Sequence, residues 1–402
     1  MSSDSSCDPL RRALLNGLML MAAGAALPVQ AAPLPRSPRP RRSRRSGCGA
    51  WPLWNAFVAR HISADGRVID FATADQRSTS EGQSYALFFA LVENEPALFE
   101  RVLGWTRHNL CADRPDLNLP SWWWGQLENG QWGVRDANSA ADSDLWIAYV
   151  LLEAGRLWRR PGYMRAGEQM LALIRRNEVA DLNGLGPMLL PGREGFSFAD
   201  RWTLNPSYLP LPLLRRIAAV DSAGPWSKIA EATARLLIEG AQHGFVADWL
   251  AWTGSAFVTD PVKGGLGSYD AIRCYLWAGM TAADDPLRAG VLAALSGPLQ
   301  MLKTQGYLAE KIELASGAGS GRAPLGFSGA LLPYLESLQQ PDLVQMLQQQ
   351  LATANLPDAA QLPYYERILL LFGQGWLERR FRFDADGRLL PAWRDPLCPA
   401  RI

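Results

Sequence analysis

Apolar residues recur at intervals of three and four along most of this chain, a periodicity typical of amphipathic α-helices. Strand-like alternation is confined to short pieces, Arg67 to Phe71 and Phe381 to Leu390, which we expect to form small hairpins. The predicted helices begin near Trp51 and continue at about Gln83 to Val92, Glu95 to Leu110, Leu145 to Trp158, Tyr163 to Arg176, Tyr208 to Ala219, Trp226 to Gln242, Ala271 to Thr281, Pro286 to Leu302, Gly329 to Leu338, Leu343 to Ala354 and Tyr364 to Leu377. The pattern predicts an all-α chain of about twelve helices with a few short edge strands.

The apolar faces of so many helices must all be covered. Hydrophobic residues make up 48% of the 402 residues, which is enough for one large core. The predicted helices come in pairs, and a double ring of paired helices buries every apolar face without leaving an edge helix. In such a ring, every inner helix begins on the same face of the molecule.

The N-terminal segment, residues 1–32, has the pattern of a secretory signal peptide. Arg11 and Arg12 precede an apolar run from Ala13 to Val29, and Val29-Gln30-Ala31 forms a small-residue cleavage site. The run is short and is interrupted by glycine and proline, so it does not qualify as a membrane span, and no later stretch does. We therefore predict a periplasmic or secreted protein with no stable membrane span after cleavage.

Amino-acid composition predicts where the segments after the signal peptide begin and end. Residues 33–47 are almost entirely Pro, Arg and Ser, so they cannot bury apolar surface and predict a disordered tether to which we assign no function. One folded domain is predicted over residues 48–395, followed by a C-terminal tail over residues 396–402.

Charge and residue usage exclude several classes of function. The formal net charge is +1 at pH 7, which gives no electrostatic reason to expect a nucleic-acid partner. The three histidines are widely separated, so we expect no metal in the chemistry. Export permits disulfides, but the spacing of the cysteines does not show whether any pair is bridged. The cysteines that remain after signal cleavage are Cys48, Cys111, Cys274 and Cys398.

Several polar motifs lie at the start of predicted helices. They are T-S-E-G-Q-S-Y (Thr79 to Tyr85), N-S-A-A-D-S-D (Asn138 to Asp144), N-P-S-Y (Asn205 to Tyr208) and G-S-Y-D (Gly267 to Asp270). A ring of alternating helices would bring all four to one face. The competing interpretation is helix capping, because Ser, Thr, Asp, Asn and Glu commonly satisfy free N–H groups at helix starts.

Two carboxylates stand out against the capping interpretation. Glu81 precedes Gly82, which gains nothing for a helix start but admits the close approach of a ligand. Asp270 follows a glycine-rich loop where a cap would need only one polar residue. Facing one another, two such groups could hydrolyse a glycosidic bond, one as acid and one as base. The acid would need burial or a neighbour such as Asp142 to raise its pKa, since a helix N-terminus lowers it.

The 16 tryptophans fit either a sugar-binding cleft or a core. Trp122, Trp123 and Trp124 are adjacent on a loop-like stretch where three indoles cannot all face one core, so we expect at least one to be exposed. Arg273, one turn after Asp270, is placed to hold that carboxylate by a charge-assisted bond. The candidate substrate-binding residues are Tyr208, Trp124, Trp122, Tyr269, Arg273 and Gln83, with core packing or an ordinary surface position as the alternative.

The chain resembles glycoside hydrolase family 8 from about Cys48 to Trp393. The matching stretches are W-P-L-W, G-R-V-I-D, T-S-E-G-Q-S-Y, F-F-A-L, S-A-A-D-S-D-L-W-I-A-Y, L-L-E-A-G-R-L-W, L-N-P-S-Y-L-P, S-Y-D-A-I-R, G-F-S-G-A-L-L-P and L-F-G-Q-G-W. The resemblance implies an (α/α)6 toroid and endo-acting hydrolysis of β-1,4-glucan with inversion and without a cofactor. It assigns the general acid to Glu81, the base to Asp270, and a sugar-binding carboxylate to Asp142. The family signature has A-[ST]-D where this chain has Ala140-Ala141-Asp142, so one hydroxyl is missing beside Asp142.

Within the family, the resemblance is strongest to periplasmic enzymes that accompany bacterial cellulose synthase. It implies action on nascent cellulose, with the synthase export complex as a candidate partner, and we expect a monomer. Two alternatives stay open. One is a noncatalytic cellulose-binding or scaffolding protein of the export machinery. The other is the same hydrolase chemistry on xylan or chitosan, which depends on a pocket shape that the sequence does not show.

Overall fold

The computed structural model describes residues 46–353 and 362–398, and it consists mainly of α-helices joined by loops and short strands. Thirteen α-helices occur within these ranges. They are α1 (Pro52–His61), α2 (Ser80–Val92), α3 (Pro96–Asn109), α4 (Ala141–Leu157), α5 (Pro161–Asn177), α6 (Leu211–Val220), α7 (Trp226–Glu239), α8 (Ala271–Met280), α9 (Arg288–Ala294), α10 (Gly297–Gln305), α11 (Leu325–Ser337), α12 (Pro341–Thr353) and α13 (Tyr364–Leu377). The predicted signal peptide, nearly all of the tether and the last four residues of the tail lie outside the described residues.

Six helices form an inner ring. Along it, α2 contacts α4, α4 contacts α6, α6 contacts α8, α8 contacts α11 and α11 contacts α13. The ring closes where Phe372 of α13 packs against Phe89 of α2, with ring centroids 4.7 Å apart. The other helices pack outside, with α3 on α2, α5 on α4, α7 on α6, α9 on α8, α12 on α11 and α1 on α13. The predicted all-α, (α/α)6 toroid is confirmed.

The distribution of apolar residues explains which helices lie inside. In α2, every residue except Glu81 is buried, as expected for a helix that is apolar on all sides. The outer helix α5 buries a single stripe at three-and-four spacing and exposes the rest. Aromatic rings fill the axis of the ring: Phe88 stacks on Phe372, and Trp146 packs against Phe372 and Trp277. Much of the tryptophan content therefore serves the core.

Several helices begin three or four residues earlier than predicted, as α2, α4 and α11 do, and two predicted helices differ in kind. The segment Pro286 to Leu302 is two helices, α9 and α10, and Pro298 lies in the first turn of the second. A helix tolerates proline in its first turn but not in its interior, which explains why the segment divides here. The segment predicted to begin at Tyr208 starts as a helix only at Leu211, because Pro206–Tyr208 forms a separate 3-10 turn.

Short strands occupy the connections between helices. Those in the described ranges are β1 (Ser78–Thr79), β2 (Trp123–Gln126), β3 (Trp132–Asp136), β4 (Val179–Leu182), β5 (Gly186–Leu189), β6 (Trp202–Leu204), β7 (Leu250–Trp252), β8 (Phe257–Thr259), β9 (Leu266–Gly267), β10 (Lys311–Glu313), β11 (Ala318–Ser320), β12 (Phe381–Phe383) and β13 (Leu389–Pro391). They pair antiparallel in the orders β1-β2-β3, β4-β5, β6-β7-β8, β9-β10-β11 and β12-β13.

The hairpin predicted over Phe381 to Leu390 is confirmed as β12 and β13. The hairpin predicted over Arg67 to Phe71 is wrong, because only an isolated bridge forms there, between Ile62 and Val68. The backbone of Val68 bonds to side chains instead: its N–H donates to Gln83 and its carbonyl accepts from Ser78. A strand partner is therefore not needed at this position.

A disulfide joins the two ends of the described chain. Cys48 is bonded to Cys398 across a sequence separation of 350, with their Cα atoms 5.3 Å apart. Cys111 and Cys274 are free and buried. None of the described helices is long and apolar enough to cross a membrane.

Candidate active site

Three inner helices bring their first turns to one end of the ring, and each carries a carboxylate there. Glu81 is the second residue of α2, Asp142 is the second residue of α4, and Asp270 immediately precedes α8. All three surround the guanidinium of Arg273. Its Nη1 lies 2.5 Å from Glu81 Oε2, and its Nη2 lies 2.7 Å from Asp270 Oδ1 and 3.9 Å from Asp142 Oδ2. The polar motifs, far apart in sequence, thus meet at one site.

Two of these carboxylates are partly exposed to solvent, and the third is buried. The side chain of Glu81 is 22% exposed and that of Asp270 is 28% exposed. Asp142 and Arg273 lie beneath them, with side chains 6% and 4% exposed. The arrangement presents Glu81 and Asp270 to a ligand above a buried layer that fixes their positions.

Capping does not account for Glu81. The Thr79 side chain caps α2 by accepting the N–H of Gly82 at 3.1 Å, which leaves the Glu81 carboxylate available. Gly82 itself is explained by packing, since a Cβ there would lie 2.9 Å from the Tyr364 hydroxyl. The interpretation of Gly82 as a point of ligand approach is therefore corrected: the close neighbour is a tyrosine of α13.

Asp142 also accepts a hydrogen bond from the backbone of its own helix. Its Oδ1 accepts the N–H of Ser143 at 2.7 Å, and Ser143 is tied to α2 through a hydroxyl contact of 2.6 Å with Ser80. Ala141, where the family signature has a hydroxyl, is fully buried, and its N–H donates to the carbonyl of Pro191. The start of α4 is thus anchored by backbone and serine contacts.

Asp270 occupies the N-cap position of α8 but makes no capping bond with its side chain. Asp248 does so instead: its Oδ1 accepts the N–H groups of Ser268, Asp270 and Ala271 at 2.8, 3.1 and 2.7 Å. Sequence reasoning missed Asp248, which lies 22 residues before Asp270 and in none of the motifs.

Burial and like charges raise the pKa values of the inner carboxyls. Burial is the main cause for Glu81; Arg273 lowers the pKa of Glu81 and Asp270 raises it, and the result lies above the ordinary value. Burial and then the charge of Glu81 raise the pKa of Asp142 to about 8. Because these two carboxyls are coupled, they retain a proton as a pair near neutral pH. Burial therefore supplies the rise in pKa that a proton donor at a helix N-terminus needs, since the helix terminus alone lowers the pKa of a carboxyl.

Aromatic and hydroxyl groups surround the guanidinium. Arg273 lies 5.8 Å from the ring centroids of both Tyr208 and Tyr365, and it donates to the Ser207 hydroxyl at 2.9 Å. Tyr365 donates to the carbonyl of Tyr269 at 2.5 Å, and the Tyr269 side chain is exposed. Tyr208 and Tyr269 therefore lie beside Arg273 and Tyr365, and their role in substrate binding stays a prediction. Tyr365 was missed because its helix begins without a polar motif.

The tryptophans form a rim beside the start of α2. The Trp122 carbonyl accepts the N–H of Ser80 at 3.1 Å, which ties this loop to the residue before Glu81. Trp124 stacks on Trp132 with ring centroids 5.5 Å apart. The three adjacent indoles at positions 122–124 are half-buried, and the exposed one is Trp132, at 45%.

Gln83 does not belong to the site. Its side chain is fully buried, with Oε1 accepting the Val68 N–H at 2.6 Å. Its Nε2 donates to Thr106 and to two backbone carbonyls. All of its polar atoms are used within the protein, so its assignment as a substrate-binding residue is corrected. Glu81 and Gln83 are two residues apart on one helix and therefore face different directions.

No cluster of His, Cys, Asp and Glu suited to a metal ion occurs within residues 46–353 and 362–398. What the site offers is a set of protein carboxyls, at least one of which holds a proton, around one fixed positive charge. Such a set can donate a proton to a leaving group and accept one from a nucleophile.

Comparison with known proteins points to one family. The family model described as glycosyl hydrolases family 8 matches residues 43–379. The chain is 59% identical over 390 residues to an endoglucanase of Xanthomonas axonopodis pv. citri, covering 97% of this chain and 99% of that protein. It is 42% identical over 344 residues to an endoglucanase of Escherichia coli K12, covering 85% and 91%.

Solved structures agree. The crystal structure of an endo-1,4-D-glucanase from Vibrio fischeri superposes with a TM-score of 0.83 at 40% identity, covering 86% of this chain and 99% of that one. The resemblance found in the sequence motifs is thus confirmed over nearly the whole described fold. The chain belongs to glycoside hydrolase family 8.

Proposed function

We propose that this protein is an inverting endo-β-1,4-glucanase in which Glu81 is the general acid, Asp270 the general base and Asp142 a sugar-binding carboxylate. The observation that carries the proposal is the convergence of these three carboxylates on the single guanidinium of Arg273. Hydrolysis of a glycosidic bond requires a carboxylic acid and a carboxylate that flank the bond.

The acid function rests on the coupled pair of Glu81 and Asp142. Burial raises the pKa of both carboxyls, the charge of Asp270 adds to the rise at Glu81, and the charge of Glu81 adds to the rise at Asp142. The pair therefore supplies a proton at a pH where an ordinary surface glutamate is ionised. Glu81, the more exposed of the two, would donate that proton to the glycosidic oxygen. Asp142 would accept a hydrogen bond from a hydroxyl of the sugar at the cleavage point.

The base function rests on the position of Asp270. Its carboxylate is partly exposed, is held by Arg273 at 2.7 Å and makes no capping bond. It would accept a proton from a water that attacks the anomeric carbon opposite the leaving group. Inverting enzymes keep the two carboxyl groups about 6.5–9.5 Å apart to seat this water. Contact of Glu81 and Asp270 with different nitrogens of one guanidinium is consistent with such a gap.

The names of the relatives support a β-1,4-glucan as substrate, since two are endoglucanases and the Vibrio protein is an endo-1,4-D-glucanase. Tyr208, which lies beside Arg273, and Tyr269, which precedes Asp270, suit the apolar faces of glucose units. The Trp124–Trp132 stack lies on the strands that lead into α2 and is a second candidate. We further propose that the protein is exported, acts as a monomer in the periplasm or outside the cell, and trims nascent cellulose near the synthase export complex.

The test is proton NMR of cellopentaose during digestion by the purified protein. We expect the first new reducing ends to be α-anomers, because inversion converts the β-linkage. Asp270→Asn, which removes the proposed base, should give no such signal. An initial β-anomer would reject inversion. Binding of cellopentaose without any new reducing end would favour the scaffolding role, and cleavage of xylan or chitosan oligomers alone would change the substrate.

A further inference from the structure

Asp248 lies outside every sequence motif yet organises the segment that carries Asp270. It precedes β7, near the start of the connection between α7 and α8, and the loop before α8 is the end of that same connection. One of its oxygens, Oδ1, accepts three successive backbone donors of that loop, the N–H groups of Ser268, Asp270 and Ala271. Its own N–H donates to the carbonyl of Leu266 at 2.8 Å. Asp248 therefore holds the loop through four hydrogen bonds, from its side chain and its backbone.

These bonds bear on the direction in which Asp270 points. An aspartate at an N-cap position ordinarily turns its carboxylate back to accept an N–H of the first helical turn. In α8, Asp248 accepts the first helical N–H, that of Ala271. The next two N–H groups, of Ile272 and Arg273, donate to the backbone carbonyls of Ser268 and Asp270. The Asp270 carboxylate therefore makes no capping bond and instead reaches Arg273 and solvent. Because Asp248 also accepts the N–H of Ser268, it fixes the loop whose carbonyl takes one of these donors.

We propose that Asp248 is a positioning residue for the reaction, which binds the backbone N–H groups on both sides of the start of α8 and thereby fixes the Asp270 carboxylate in the direction that the base requires. This inference rests on the proposed function, in which Asp270 is the base. Asp248 itself touches backbone N–H groups and need not contact substrate.

The surroundings of Asp248 suit a charged acceptor. Burial and the nearby charge of Asp270 raise the pKa of Asp248 to about 6, while the backbone N–H groups of Ala271, Ser268 and Asp270 oppose that rise. The carboxylate is therefore mainly ionised at pH 7.5, and hydrogen bonds to an ionised acceptor are stronger than those to a neutral one. Ser268 is fixed on its other side as well, since its hydroxyl donates to the carbonyl of Glu310 at 2.7 Å.

The test compares Asp248→Ala with Asp248→Asn at pH 7.5 on soluble cellooligosaccharides. Alanine removes the acceptor, and we expect kcat to fall about 100-fold, the scale of loss for a displacement of about 1 Å in a reacting group. KM should change less than threefold, because contacts along the rest of the substrate remain. Asparagine keeps an oxygen at the same place, so kcat should stay within about tenfold of wild type.

Asp285→Ala is the matched control. Asp285 is likewise a buried aspartate that accepts a backbone N–H, that of Leu287 at 2.8 Å, but it follows the opposite end of α8 and pairs with Arg215. This variant should lose stability and keep its kcat. If Asp248→Ala does not fold, Asp248→Ser, with one short hydroxyl acceptor, should fall between Ala and Asn in kcat.

The inference is overturned if folded Asp248→Ala keeps wild-type kcat, or if the Asn variant is as slow as the Ala variant. It is also overturned if Asp285→Ala lowers kcat equally, or if the Ser variant, standing in for an unfolded Ala variant, matches wild type. A wild-type protein that cleaves no β-glucan is a different result, because it rejects the proposed function itself.

Discussion

Buried carboxylates at the two ends of helix α4 have opposite kinds of surroundings. Near its C-terminus, the fully buried Glu153 bonds to Arg156, to Arg216 at 2.6 Å and to the N–H of Leu389 at 2.7 Å. One negative charge there meets two positive charges and a backbone donor. At its N-terminus, Asp142 belongs to a group of three carboxylates that share one arginine.

The difference separates a structural ion pair from a reactive site. A buried carboxylate whose oxygens all accept hydrogen bonds from cations and the backbone is held in one position. Carboxylates that outnumber their counterions repel one another, which raises pKa values and makes protons available near neutral pH. The chain thus uses the same residue type for stability at one end of a helix and for proton transfer at the other.

The largest expected effect is on catalysis at the crowded end. Glu81→Gln removes the proposed acid but keeps its shape, so we expect kcat on carboxymethylcellulose, measured by viscosity, to fall about 10²- to 10⁴-fold. Glu168→Gln, on the exposed face of the outer helix α5, serves as control and should match wild type. Full activity of Glu81→Gln would show that the acid lies elsewhere.

A smaller effect, on stability, is expected at the compensated end. Glu153→Gln leaves the buried guanidinium of Arg216, whose side chain is 7% exposed, without its counterion. Breaking a buried pair in this way costs about 3–5 kcal/mol in the free energy of unfolding, which urea titration would measure. The folded variant should keep its kcat, since Glu153 lies about three turns along α4 from Asp142, or about 16 Å at 1.5 Å per residue. A loss below about 1 kcal/mol would contradict the comparison.

The smallest effect is a gain in stability at the crowded end. The pKa of Asp142, about 8 in the folded protein, exceeds the value of about 3.9 for an unfolded aspartate, so the native state binds more protons between these values. Wild-type stability therefore falls as pH rises through that window. Asp142→Asn removes the cost, and we expect it to raise the free energy of unfolding by about 1 kcal/mol at pH 8.

The same variant should show no gain near pH 3, below both pKa values, where Asp142 is mostly protonated in the folded and the unfolded state. Its activity should be reduced. Urea titrations of wild type and Asp142→Asn at the two pH values would check this. A gain that is equal at both values would mean that charge repulsion is not its source.

Much of the fold follows from local pattern. The segment Tyr364 to Leu377 is a helix with the predicted bounds, because its apolar spacing and the preceding proline specify both its face and its start. The carboxylates Glu81, Asp142 and Asp270 could be selected because each stands in a polar motif before an apolar helix. The helix predicted from Pro286 to Leu302 is two helices, because Pro298 lies in the first turn of the second one. Apolar periodicity alone does not show such a break.

Other features depended on partners far away in sequence. Val68 donates its N–H to Gln83 of α2 instead of to a strand partner. Asp248 accepts backbone N–H groups at the start of α8, more than 20 residues later in the sequence. The bond between Cys48 and Cys398 closes nearly the whole described chain. By itself, the sequence determined the helices and the acidic candidates, since periodicity and capping act within a few residues. Only the tertiary structure decided which polar groups meet, because hydrogen bonds and charge repulsion depend on distances that the closed ring sets.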